Sequence, residues 1–174
     1  MTLDGICDHT AIPADEELHQ HYADLLNNAD TILYGRITYH LMEYWKSVVQ
    51  NPTGNRATDQ FAVTMDKIPK IVFSHTLKNL EWESAKLASL DLERQVAELK
   101  QQSRKDILVG SRSLIIQLMK LHLLDELQLC VHPVVAGEGM PLFDKTTDRT
   151  SFKLLKTKTL RSGAIVLYYA PNKQ

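Results

Sequence analysis

Apolar residues recur along this chain in two styles. Short unbroken runs, TILY (31–34), KIVFS (70–74) and DILV (106–109), end at or just before glycine or in serine. Such runs mark strands buried on both faces. Between them apolar positions fall at helical spacing. Residues 14–28 carry Leu18, Tyr22, Leu25 and Leu26 behind Pro13, with Asp15, Glu16 and Glu17 at the end that favours negative charge. Residues 37–49 and 112–121 also read as helices, as do 92–102, with Leu92, Val96 and Leu99 on one face. The segment 80–84 alternates and predicts a short edge strand. The stretch 50–59, rich in Asn, Thr, Pro and Gly, predicts a surface loop.

The pattern then changes. Residues 125–135, 151–160 and 164–170 read as strands with no helix-length segment between them. Alternation followed by consecutive strands predicts an α/β fold: a mixed, mainly parallel sheet with antiparallel C-terminal strands and helices on its faces. Ligands of such sheets bind beyond the carboxyl ends of the strands. Gly35, Ser74 and Gly110 stand at those ends and would share one rim.

The totals narrow the choice. A chain of 174 residues suits one domain over 1–174. Net charge is -1 and no long basic block occurs, so neither nucleic acid nor a membrane surface is expected as partner. No apolar run reaches the length of a membrane span. Cys7 and Cys130 are the only cysteines, which suits a reduced cytoplasmic protein better than a disulfide or zinc framework. His19 and His21 in HQH stand two apart, a spacing that points them away from each other on a helix, so no metal is expected.

Three motifs carry candidate chemistry, and each has a plain alternative. In YGRITY (34–39) Gly35 permits close approach, Arg36 can pair with phosphate and Thr38 can donate a hydroxyl; the same residues also make an ordinary helix start. In FSHTL (73–77) Ser74, His75 and Thr76 offer polar groups after a buried strand, or simply a polar turn. Gly110 and Ser111 open a helix, where the serine serves as an N-cap or the turn cradles phosphate. GEG (137–139) suggests a loop of unusual backbone geometry.

In order along the chain, MTLDG (1–5), ADTILYGRITY (29–39), KIVFSHTL (70–77), DILVGSRSLIIQLMKLHLLDELQLCVHPVVAGEGMPLF (106–143) and GAIVLYYAP (163–171) resemble the dihydrofolate-reductase-like family. More narrowly, they resemble the reductase domain of bacterial riboflavin biosynthesis, the RibD C-terminal type. The resemblance covers nearly the whole chain and is most specific over 106–143. It implies a three-layer sandwich and an NADPH-dependent reductase acting on a small pterin- or pyrimidinone-like heterocycle, commonly as a homodimer joined through the C-terminal strands. Gly35, Arg36 and Thr38 would contact cofactor phosphates. Ser74, His75 and Thr76 would lie near the adenosine ribose and its 2′-phosphate. Gly110, Ser111, Arg112 and Leu114 would cradle the pyrophosphate.

There are departures from the family pattern. His75 stands where Arg or Lys is usual, which leaves NADH open beside NADPH. TLDG normally follows a buried strand, so the natural chain is expected to extend upstream by roughly 5–8 residues. The candidate acids are Asp4, Asp15 and Glu138. Asp15 matches the helix acid that holds the pterin ring in true dihydrofolate reductases, or else it answers the helix dipole. A nucleotide-binding or scaffold domain without turnover is the alternative function.

Overall fold

The computed structural model describes residues 1–7, 10, 12, 14–143 and 149–172. They form two compact units, Leu18–Leu123 and the pair of segments Met1–Glu17 and Leu124–Gln174.

The larger unit takes in α1 (Glu16–Asn27, from Leu18 on), β1 (Ala29–Gly35), α2 (Arg36–Met42), α3 (Tyr44–Gln50) and α4 (Arg56–Lys67). It continues through β2 (Lys70–Phe73), β3 (Ala85–Leu87), α5 (Leu92–Gln102), β4 (Asp106–Val109) and α6 (Arg112–Lys120). The four strands form one parallel sheet in the order β3-β2-β1-β4. Register sets Gly35 beside Phe73 and Leu33 beside Val109, so β1, β2 and β4 do end at a common rim.

The apolar runs are unbroken because both sheet faces are covered. Ile32, Tyr34 and Val72 pack with Ala23 and Leu26 of α1, Tyr39 of α2 and Phe61 and Met65 of α4. Leu33 and Ile71 alternate with them, so they point to the opposite face, and they are equally buried.

At the other end of the sheet β2 begins on a fully buried lysine. Lys70 Nζ donates to the carbonyls of Asp66 (3.2 Å) and Ile68 (2.9 Å) and to Ser84 Oγ (2.8 Å). It also lies 4.0 Å from the centre of the Trp82 ring. Three donors thus meet three acceptors, two of them carbonyls left over at the end of α4. Burial lowers the ammonium pKa to about 8, against the pull of the Asp66 carboxylate.

The second unit contains β5 (Leu127–Val131), β6 (Phe152–Thr159) and β7 (Ile165–Pro171), an antiparallel sheet in the order β5-β7-β6. The antiparallel C-terminal strands are as expected, but they make a sheet separate from the parallel one. The N-terminal segment runs beside residues 130–142. His132 N–H donates to the Met1 carbonyl (2.9 Å), Leu3 N–H to Val134 O (2.8 Å) and Cys7 N–H to Met140 O (2.7 Å).

Several expected boundaries move. The helix expected over 37–49 divides into α2 and α3 at Glu43. The 50–59 loop ends early, because Asn55 caps α4 by accepting from Thr58 N–H at 3.0 Å. The edge strand lies at Ala85–Leu87, not 80–84, since Trp82 is drawn into the core over Lys70. The strand expected over 125–135 stops at Val131, and the residues after it pair with the N-terminal segment.

Candidate functional site

The carboxyl ends of β1 and β4 are joined by a side chain. Ser111 Oγ accepts the N–H of Gly35 at 2.8 Å. Ser111 occupies the N-cap position of α6 but makes no side-chain cap hydrogen bond to its own helix. The cap reading of this serine therefore fails as to its hydroxyl, which is committed to the neighbouring strand. Its carbonyl performs the helical duty, accepting from Leu114 and Ile115 N–H at 3.0 Å each. The amides ahead of these, at the first turn, face outward by helix geometry.

The two rim glycines have different reasons to be glycine. Neither has a positive φ. A Cβ on Gly110 would stand 2.4 Å from Cε1 of Tyr34, so the position is bare because a buried ring fills its space. Tyr34 is held there, its hydroxyl donating to Met65 Sδ at 3.3 Å, and burial pushes its phenol pKa far up. The atoms nearest to a Cβ on Gly35 would be the Ser111 and Ser113 hydroxyls, each at 3.7 Å, an ordinary contact. Neither backbone nor packing demands glycine at 35. Its bare face opens on two serine oxygens, a cradle in which a phosphate could approach the main chain.

Around this cradle Arg36 is exposed, Thr38 and Arg112 are half-buried and Ser113 is exposed. Leu114 is buried, so only its backbone stands at the helix start, and its N–H is already given to Ser111. At the end of β2, Ser74 Oγ accepts from Thr76 N–H (3.2 Å) and Leu77 N–H (3.0 Å). That turn chemistry turns Ser74 inward and leaves His75 and Thr76 exposed. Ser113 was not among the expected site residues; its signal was the second serine of GSRS.

The three candidate acids lie in the other unit. Asp4 accepts the Thr2 hydroxyl, Ala136 N–H at 3.2 Å and Gly137 N–H at 2.8 Å. These bonds, the Thr2 hydroxyl first, bring its pKa down to about 2. Asp4, one of the expected candidate acids, thus has both carboxylate oxygens engaged and braces the segment that begins at Ala136. Asp15 is half-buried ahead of α1. Its charge favours the protonated form of His132, against burial and the Met1 ammonium, which together lower that imidazole's pKa. Glu138 is exposed between Gly137 (φ +82) and Gly139 (φ +133).

His19 is stacked on Phe61 and lies 3.1 Å from Thr58 Oγ1, and His21 is buried. Among the described residues no group of three potential ligands is placed to hold a metal, and no helix is long and apolar enough to cross a membrane.

Residues 1–166 match the family model of the RibD C-terminal domain. Over 149 residues the chain is 36% identical to the uncharacterized protein YyaP of Bacillus subtilis (strain 168), covering 85% of this chain and 77% of that one. YwjB of the same organism is 28% identical over the same shares. Among solved structures, a Shewanella sp. PV-4 protein provisionally assigned to riboflavin biosynthesis superposes with a TM-score of 0.73 at 18% identity, over 99% of this chain and 95% of that one. A Thermotoga maritima diaminohydroxyphosphoribosylaminopyrimidine deaminase/5-amino-6-(5-phosphoribosylamino)uracil reductase gives 0.60 at 15% identity, over 98% of this chain and 54% of that longer one. The α/β fold of the dihydrofolate-reductase-like class is thus the fold found.

Proposed function

We propose that this chain, a member of the RibD C-terminal domain family, is a pyridine-nucleotide-dependent reductase that passes hydride from NADPH to a small pterin- or pyrimidinone-like heterocycle. The observation that carries the reading is the Gly35–Ser111 junction. It fixes two parallel strand ends together and leaves a bare glycine face, two serine oxygens and an outward helix start at one place.

The nicotinamide supplies the hydride chemistry when bound. The chain's part is to hold and orient. Gly35, Ser111, Ser113 and the first turn of α6 would take the pyrophosphate, and Arg36 and Arg112 would balance its charge. Gly110 contributes through Tyr34 packing, Leu114 through its place in the helix start, and Thr38 by a hydroxyl. Ser74 would shape the turn that offers His75 and Thr76 to the ribose and its 2′-phosphate. With an imidazole there instead of a guanidinium, NADH is accepted as well as NADPH, and the preference between them is modest.

The face of the C-terminal sheet that carries Leu154 and Ile165, 48% and 40% exposed, would be covered in a homodimer. In a reducing cytoplasm Cys7 and Cys130 would remain thiols, as they are in the structure. A second reading, cofactor binding without turnover, draws support from both Asp4 carboxylate oxygens being engaged by backbone N–H groups.

Titration of the protein with NADPH and with NADH, followed by the fluorescence of Trp45 and Trp82, is the test. Saturable binding of either cofactor and its oxidation with a member of a pterin, pyrimidinone and quinone panel is the expected result. Binding without oxidation across the panel favours the second reading, and binding of neither ends the first.

A further inference from the structure

Residues 136–140 have little buried side chain to hold them. Ala136 is half-buried, and Gly137, Glu138, Gly139 and Met140 are exposed. Their backbone is nevertheless closely defined. Gly137 and Gly139 sit at φ +82 and +133, and a Cβ on Gly139 would stand 2.6 Å from Cγ2 of Ile6. The feet of this arch are pinned by backbone bonds, from Leu3 N–H to Val134 O (2.8 Å), from Cys7 N–H to Met140 O (2.7 Å) and from Leu142 N–H to Gly5 O (2.9 Å). Between the feet the Asp4 side chain reaches in. Asp4 takes the N–H groups of Ala136 and Gly137, one on each carboxylate oxygen, and no backbone carbonyl among the described residues takes either.

We propose that Asp4 is the latch of a small loop: its carboxylate holds the arch Ala136–Gly139 in place, and the arch opens about its pinned feet when the carboxylate lets go. Glycine populates both signs of φ readily, so residues 137 and 139 give the arch a second backbone state without strain. The pinned feet confine the motion to the arch, which is the pattern of a local opening and not of global unfolding. Opening moves Glu138 and releases two adjacent N–H groups together. The inference rests on hydrogen bonds inside one unit and does not depend on cofactor use.

The test is backbone amide exchange by NMR at neutral pH in the full chain and in Asp4→Asn. Asparagine keeps the size but turns an N–H₂ toward one of the two N–H donors. Exchange at Ala136 and Gly137 is expected to rise about tenfold or more, the scale of losing a hydrogen bond to a charged group. The Gly35 amide, held by Ser111, should not change. An unaltered Gly137, or an equal rise at Gly137 and Gly35, overturns the latch. Should the variant fail to fold, the wild-type chain answers instead. The Asp4 carboxyl carbon and the Gly137 amide should titrate together, below the ordinary carboxylate range, while the Gly35 amide stays unmoved. A Gly137 amide that ignores the Asp4 titration, or one that moves together with Gly35, overturns it as well.

Discussion

Ser111 Oγ accepts the N–H of Gly35 at 2.8 Å, across the carboxyl ends of two adjacent parallel strands. The serine is 2% exposed, and its hydroxyl joins the two strand ends. Ser111→Ala leaves the Gly35 N–H without its acceptor and should cost about 1–3 kcal/mol of folding stability. Chemical denaturation measures that loss. The same variant should weaken NADPH binding, because the cradle loses both an oxygen and its alignment.

The two rim glycines predict opposite outcomes for one substitution. Gly110→Ala drives a methyl group against the Tyr34 ring and should destabilise by about 1–3 kcal/mol, as overpacking does. Gly35→Ala meets only ordinary contacts, so the melting temperature should hold while cofactor affinity falls. If Gly35→Ala binds NADPH as well as the wild type, the bare face at 35 is not where phosphate approaches.

His75 stands exposed beside the end of β2. His75→Arg should tighten NADPH about tenfold, the gain of one charge-assisted pair with the 2′-phosphate, and leave NADH unchanged. Parallel fluorescence titrations with the two cofactors separate these results. Equal tightening of both would place His75 away from the 2′-phosphate.

Lys70 gives the stability curve an alkaline signature. Its pKa is lowered to about 8 in the folded chain from 10.5, so between these values the unfolded chain holds a proton that the folded one has released. Stability therefore rises as pH goes from about 8 toward 10.5. Urea denaturation at pH near 8 and near 9.5 should show the gain in the wild type and its loss in Lys70→Met.

The acid side has the reverse origin. Asp30 accepts Arg104 N–H at 2.7 Å and Lys105 N–H at 2.9 Å, and Asp59 accepts the Thr53 hydroxyl and the N–H groups of Thr53 and Gly54. Both carboxyl groups are held below the usual range, Asp30 chiefly by the Lys105 amide and Asp59 by the Thr53 hydroxyl. Their contribution is present above pH 3.8 and is lost as pH falls through the lowered values. Asp30→Asn and Asp59→Asn should each flatten the acid limb of stability measured by denaturant midpoints.

Where the sequence was legible, one local rule was enough. TILY, KIVF and DILV are strands because unbroken apolar runs need two covered faces, and the sheet supplies both. α4 was hidden because its opening residues look like a loop: Asn55, Thr58 and Asp59 are cap and turn chemistry, and Phe61, Ala62 and Met65 behind them carry the helical face. The rim was legible as a set of strand ends, since Gly35, Ser74 and Gly110 mark the ends of β1, β2 and β4. What each residue does there was not. Ser111 reads as a cap in one dimension, yet its acceptor is spent on a residue 76 positions away. Gly110 reads as a phosphate glycine, and the Tyr34 ring against it is a packing reason that the local pattern does not show. Asp4 reads as an acid, yet its amide partners lie more than 130 residues along the chain. Pairings of such range follow from topology and leave no trace in local pattern.

The ammonium of Lys70 lying against Trp82 also makes this indole an internal gauge. Its emission should respond to the charge 4.0 Å away, so a pH scan of Trp82 fluorescence reads the protonation of Lys70 directly. Lys70 opens β2, and Gly35 and Ser111 stand at the opposite rim of the same sheet, so Trp82 reports on the end of the sheet away from the candidate cradle. Trp45, edge-on to Phe61 at 4.6 Å, reports instead on the packing of α3 against α4. The two indoles thus stand in different surroundings, one beside a buried charge and the other among aromatic rings.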